Sequence, residues 1–155
     1  WQLGRATFMQ LGATGVYGTN PDTALQTTLG GLDFRFTWRP PARALYRDWT
    51  IRAEVYGLKK ERSGTGEWRY GGYLGTTYKL GRRWIAGARF DYVDTPEGPS
   101  AITRQIVPSL TWWQSEWVYL RAEFARRLTP AVGEGRNRLL FQAVWAIGPH
   151  KHETY

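Results

Sequence analysis

The stretch Leu32-Asp33-Phe34-Arg35-Phe36-Thr37-Trp38-Arg39 alternates between a large apolar side chain and a polar or charged one. Successive side chains of a strand point to opposite faces. Leu32, Phe34, Phe36 and Trp38 therefore share one face, and Asp33, Arg35, Thr37 and Arg39 share the other. The second face is too densely charged for an ordinary protein core. One greasy and one ionic face suit a transmembrane β-barrel, whose wall meets lipid on the outside and whose lumen is polar.

Seven further segments carry the same alternation. From Thr7 to Tyr17, Met9, Leu11, Ala13, Gly15 and Tyr17 oppose Gln10, Gly12 and Thr14. Trp49, Ile51, Ala53 and Val55 oppose Thr50, Arg52, Glu54 and Tyr56. Gly72, Leu74, Thr76, Tyr78 and Leu80 oppose Tyr73, Gly75, Thr77 and Lys79. Trp84, Ala86, Ala88, Phe90 and Tyr92 oppose Ile85, Gly87, Arg89 and Asp91. Ile106, Pro108, Leu110 and Trp112 oppose Val107, Ser109, Thr111 and Trp113, and Pro108 lacks the N–H of a ladder bond. Val118, Leu120, Ala122 and Phe124 oppose Tyr119, Arg121, Glu123 and Ala125. Leu139, Phe141, Ala143, Trp145 and Ile147 oppose Leu140, Gln142, Val144 and Ala146. None of the outward sets contains a charge.

Segments of about 9 to 11 residues match a tilted bilayer-crossing strand, and an even count brings both termini to one side. The sequence therefore predicts an all-β fold, an eight-stranded antiparallel transmembrane β-barrel of the outer-membrane type. It forms one domain over residues 1–155, with a tail at 149–155 beyond the last strand. Pro40 to Asp48, Gly81 to Arg83 and Gln114 to Glu116 are compact or proline-bearing connectors. Thr19 to Thr28, Glu61 to Glu67, Val93 to Thr103 and Arg127 to Asn137 are longer or richer in Gly, Pro and polar residues. Outer-membrane barrels have short periplasmic turns and long external loops, so the compact set is expected to face the periplasm. Trp38, Trp49, Trp84, Trp112 and Trp117 flank that compact set, at the level where indoles form an interface girdle.

Mean hydropathy is −0.50, yet a barrel needs no long apolar run because half of each strand faces a polar lumen. The absence of cysteine excludes disulfides and thiolate metal sites. Starting at Trp1 without a methionine or an apolar leader, the chain reads as a mature form, a fragment or an excised piece. The formal charge of +8 raises the question of nucleic acid. Aromatics and cations would then share one exposed face, whereas here they alternate between faces, so no nucleic-acid partner is expected. Lys59, Lys60, Arg62, Arg69, Arg104, Arg126, Arg127, Arg136 and Arg138 fall in external loops and strand ends. There they suit the phosphates of an anionic outer leaflet, with lipopolysaccharide and outer-membrane lipid as partners, alongside other envelope proteins. A solvated rim without a specific ligand is the plain alternative.

Asp33, Arg35, Arg39, Arg52, Glu54, Arg89, Asp91, Arg121 and Glu123 make up the expected lumen network. Interleaved signs suit a salt-bridge ladder filling a narrow barrel, since eight strands leave room for little beyond side chains. A charged path for an ion or small solute is the functional alternative. Catalysis is not expected. The two histidines, His150 and His152, lie in the tail far from any serine in sequence, and Glu54 and Asp91 have arginine neighbours that favour ion pairs. His150 and His152 are weak metal candidates with Glu153 nearby, so neither a metal nor a cofactor is expected.

Three stretches carry a family resemblance. They are Arg83-Trp84-Ile85-Ala86-Gly87-Ala88-Arg89-Phe90-Asp91-Tyr92, then Ser115-Glu116-Trp117 with Leu120-Arg121, and Phe141-Gln142-Ala143-Val144-Trp145-Ala146-Ile147-Gly148-Pro149-His150 followed by His152. Together they resemble the C-terminal barrel of bacterial outer-membrane proteins labelled zinc-regulated TonB-dependent receptors, and the architecture is like that of small OmpA/OmpX-type barrels. The likeness is good over the second half of the chain and loose over the first. It implies a bacterial outer-membrane location and a terminal aromatic, Tyr155, read by the assembly machinery. Lys151, Glu153 and Thr154 depart from the family pattern. The family label implies transport of metal or small solutes, although this chain leaves no room for a plug domain.

Two functional classes follow. One is a complete small barrel that acts as a membrane anchor, an envelope-structural element or a scaffold for a partner. The other is the closing segment, or one subunit, of a larger porin-like or receptor-like transport barrel. A soluble ligand-binding barrel is the third option.

Overall fold

A computed structural model describes residues 1–19, 25–61, 66–95, 100–129 and 136–146. The chain is all-β, with eight antiparallel strands in one sheet in the order of the sequence. They are β1 (Thr7–Thr19), β2 (Gln26–Trp38), β3 (Trp49–Lys60), β4 (Trp68–Lys79), β5 (Trp84–Asp94), β6 (Ile102–Trp113), β7 (Val118–Arg127) and β8 (Asn137–Trp145). The alternation of the sequence thus becomes a plain meander in which each strand pairs with the next.

Two strands run further than expected. Both β1 and β2 have 13 residues, because Gly18 and Thr19 continue the ladder opposite Thr27 and Gln26. At the compact end, a 3₁₀ turn over Pro41–Arg43 is closed by Arg43 N donating to the Pro40 carbonyl at 2.9 Å. The other two compact turns are closed by Leu80 N donating to Trp84 O at 2.9 Å and Gln114 N to Val118 O at 3.0 Å. Pro108 has the predicted effect on the β7 side. The β6–β7 register passes from Ile106↔Arg126 to Ser109↔Glu123 with no pairing between, while on the other side Ala88 still pairs with Pro108.

The expected closure is not observed. Among the described residues β8 pairs with β7 and not with β1, so the sheet is open. Periodicity assigns faces within each strand. Whether the last strand meets the first depends on strand tilt and stagger, which no single strand encodes.

The register shows how the two faces are built. On one face Leu11, Phe34, Ala53, Leu74, Phe90 and Ile106 stand side by side across six strands. On the other, the row Gln10, Arg35, Arg52, Gly75, Arg89 and Val107 lies next to the row Gly12, Asp33, Glu54, Tyr73, Asp91 and Gln105. The apolar row is solvent-accessible: Leu11 is 55% exposed, Leu74 54%, and Phe141 on β8 77%. Among the described residues Val107, at 3%, is the one buried hydrophobic side chain, and it lies on the polar face. The sheet encloses no conventional apolar core.

Candidate functional site

The polar face is the chemical feature of the molecule. It is concave, since one cavity of about 310 Å³ draws Thr50 and Arg52 from β3, Tyr73 from β4, Arg89 from β5, Ser109 from β6 and Arg121 from β7. Small residues make room for this lining. An added Cβ at Gly12 would collide with the Asp33 carboxyl, and one at Gly87 with the Ser109 hydroxyl. Neighbouring strands approach closely there because these positions carry no side chain.

Within the strands the charges pair at i and i+2, which places both groups on one face. Arg89 Nε lies 2.7 Å from Asp91 Oδ1, and Gln105 donates to the other Asp91 oxygen at 2.7 Å. Arg121 Nη2 lies 2.7 Å from Glu123 Oε1. Glu54 is held differently. Its carboxylate accepts the hydroxyls of Tyr73, at 2.7 Å, and of Tyr56. Arg35 and Arg52 face each other directly across β2 and β3. The acids and bases are therefore sorted into adjacent rows, not mixed at random: arginines in one row, with Asp33, Glu54 and Asp91 in the next.

Arg39 stands apart from this lattice. It follows the end of β2 and pairs at 2.5 Å with Asp48, bracing the Pro40 to Asp48 connector. Lys79 is 6% exposed and donates its backbone N–H to the Asp48 carbonyl at 2.8 Å. On the sequence, Tyr56 and Tyr73 read as inward residues, but only their reach to Glu54 makes them network members. Asp48, Lys79 and Gln105 gave no signal as partners, because their contacts cross strands or turns.

Aromatic side chains gather at the compact-turn end. Trp38 opposes Trp49, and Trp84 opposes Trp112 with ring centroids 6.4 Å apart. Phe36 meets Trp49 edge to face at 5.9 Å. Trp117 accepts a bond from Ala146 N at 2.8 Å. Trp145, not counted in the expected girdle, is brought to the same end by pairing with Val118 and is 66% exposed. At the opposite end Trp68 stacks on Tyr70 at 6.4 Å.

The cations proposed for the outer leaflet divide into several groups. Arg69 is held by Glu67 at 3.0 Å and Asp94 at 3.4 Å, and Arg104 lies over the Tyr92 ring at 5.8 Å. Lys59 falls on the apolar side of β3 by alternation, opposite Trp68, and Lys60 ends the strand. Arg126 pairs in register with Asn137. Arg127, Arg136 and Arg138 line a cavity on the polar face together with Arg89. Arg62, His150, His152 and Tyr155 lie outside the described residues. Among the described residues no group of three or more His, Asp or Glu side chains could hold a metal, and no helix is long and apolar enough to cross a membrane, which has no bearing on a β-barrel.

Comparison with known proteins adds nothing to this picture: no family model, no curated protein and no solved structure matches the chain. The resemblance to the receptor-type barrel rests on the residues quoted for it.

Proposed function

We propose that this sheet is a wall of a bacterial outer-membrane β-barrel, with the apolar face against lipid and the charged face lining an aqueous path for small solutes. The carrying observation is the inverted partition of the sheet. Its apolar row is exposed, its charged rows line a concave face, and the one buried hydrophobic side chain among the described residues is on the polar side. In water such a surface is unfavourable by roughly 25 cal/mol for each Å² of apolar area left wet. Patches of this extent mark membrane or protein contacts. Bilayer immersion removes that cost, and the tryptophans at the compact-turn end match an interface girdle.

The open edges favour the larger-barrel class. Hydrocarbon does not tolerate unpaired backbone groups, each of which costs several kcal/mol there. A membrane sheet with free edges at β1 and β8 must therefore gain further strands or curl until the two edges meet. In the larger barrel, further strands complete the ring, from the same polypeptide or from another copy. The intrastrand pairs Arg89–Asp91 and Arg121–Glu123 favour the second reading, a self-closed barrel filled by its own ion pairs that serves as an anchor or scaffold.

Planar-bilayer conductance of the detergent-folded chain separates the two, once a heat-shift gel has confirmed a folded barrel. Steady ion current is expected for the larger ring. A silent bilayer from a heat-shifting monomer would transfer the assignment to the filled anchor, and a chain that stays in solution without detergent would overturn both.

A further inference from the structure

We propose that the connector between β2 and β3 forms a binding site for an anionic phospholipid on the apolar face, with the lipid phosphate held by Arg43 and Arg47. A cavity of about 530 Å³ at the compact-turn end is lined by these two arginines together with Trp38, Pro40, Ala42 and Tyr78. The inference rests on the membrane reading above and names a specific lipid contact that this reading leaves general.

The sheet fixes the position of the cavity. Trp38, Trp49 and Tyr78 are register partners across β2, β3 and β4, and alternation puts all three rings on the apolar face. The connector then divides its charges between the two faces. Arg39 pairs with Asp48 at 2.5 Å, and Asp48 also accepts the Thr50 hydroxyl at 3.1 Å. The one acid of the connector is thereby engaged on the polar side. Arg47 turns the other way. Its guanidinium lies over the Tyr78 ring, 5.7 Å from the centroid, and Nη1 donates to the Tyr78 hydroxyl at 3.3 Å. Arg47 N donates to the Arg43 carbonyl at 2.8 Å, the one-turn spacing that brings two side chains to the same side. Arg43 is exposed, and among the described residues its side chain has no hydrogen-bond or ion-pair partner.

Two guanidinium groups therefore stand beside an aromatic wall, and no carboxylate among the described residues lines the cavity. Guanidinium groups bind phosphate oxygens in bidentate fashion. Indole and phenol rings favour the level where headgroup meets hydrocarbon. A molecule that joins a phosphate to acyl chains satisfies both halves of the site at once, with the phosphate against Arg43 and Arg47 and the glycerol and first methylenes along Trp38 and Tyr78. A free phosphate would leave the rings uncovered. A headgroup with net negative charge suits the pair better than a zwitterionic one, whose own cation would face two others. The site needs these two arginines and the rings beside them, and not the net charge of this end of the sheet.

The test is calorimetric titration of the full chain folded in a maltoside detergent, with dihexanoyl phosphatidylglycerol as the probe, empty micelles as the blank and a heat-shift gel to verify the fold. The wild type should bind, and Arg43→Gln with Arg47→Gln should weaken binding by about tenfold or more, since each cation beside an anionic lipid contributes on the order of fivefold. The matched Lys pair should recover part of the loss, because charge returns without the bidentate fork. Arg43→Gln alone, with no side-chain partner to lose, carries the test if the double variant does not fold, with an expected loss of about fivefold. Arg82→Gln with Arg83→Gln, the same charge change in the exposed turn between β4 and β5, should leave affinity within about twofold. Glycerol phosphate and dihexanoyl phosphatidylcholine should each bind about tenfold more weakly than the probe. Wild-type affinity in the Arg43 and Arg47 variant, an equal loss in both arginine pairs, or equal binding of glycerol phosphate or of the choline lipid would overturn the site. A heat-shifting wild type that binds no phosphatidylglycerol would overturn the site and leave the membrane reading standing. A chain that stays in solution without detergent would overturn the membrane reading and the site with it.

Discussion

Phe90 and Arg89 are neighbours in sequence with opposite surroundings, and that contrast is the residue-scale content of the fold. Phe90 stands in the row with Phe34 and Leu74, where under the proposed membrane assignment an introduced cation would meet hydrocarbon. Phe90→Arg or Phe34→Arg should cost roughly 2 to 4 kcal/mol of membrane stability, read as loss of the heat-shifted band. Normal folding of both variants would refute the assigned lipid face. Arg89→Ala removes the ion partner of Asp91 and leaves Gln105 alone to hold a carboxylate, so the melting temperature should fall. Arg35→Ala should do less. On the sequence alone Arg35 looks like a pairing partner for Asp33, but it faces Arg52 across the strand pair, and its loss also relieves like-charge repulsion. Equal destabilisation by the two variants would mean that the sorted rows do not govern the energetics. Face assignments were legible in the sequence because they follow from a period of two. Partners were less so, since Tyr73 reaching Glu54 and Gln105 reaching Asp91 depend on register between strands.

At the scale of elements, all eight strands and the compact connectors could be read from alternation and turn residues, whereas the ends of β1 and β2 could not. Thr27 and Gln26 are polar and resemble loop, yet pairing with Gly18 and Thr19 extends the ladder through them. The weakest strand by sequence, β6, is also the one with a lapse in its pairing, beside Pro108. Replacing Pro108 with Val restores a backbone donor and should raise stability by about 1 kcal/mol, the net worth of one hydrogen bond. The denaturation midpoint in detergent should rise accordingly, and an unchanged midpoint would show that the lapse has another origin. β8 is the most exposed strand, with Val144 its one partly covered residue. The chain has no native cysteine, so a Leu11→Cys and Phe141→Cys pair, with neighbouring pairs two residues along, reports on the edges. Intramolecular disulfides would mean that β8 returns to β1 in the membrane and would overturn the larger ring. Cross-links only between chains are the expected result if copies complete it.

For the molecule as a whole, the partition of the sheet was legible in the sequence and its closure was not. Each strand carries its own two-sided pattern, but ring size depends on how tilt and stagger accumulate over the strands, and no window of sequence contains that sum. The central claim is that the apolar face contacts lipid while the charged face contacts water. The most direct measurement is a cysteine scan of β5, residues 85 to 91, in liposome-reconstituted protein. A membrane-impermeant maleimide should label positions 85, 87, 89 and 91, while positions 86, 88 and 90 stay protected and quench against a lipid-borne nitroxide. That two-residue alternation is the predicted result. Uniform labelling along the strand, or quenching without alternation, would contradict the assignment of the two faces.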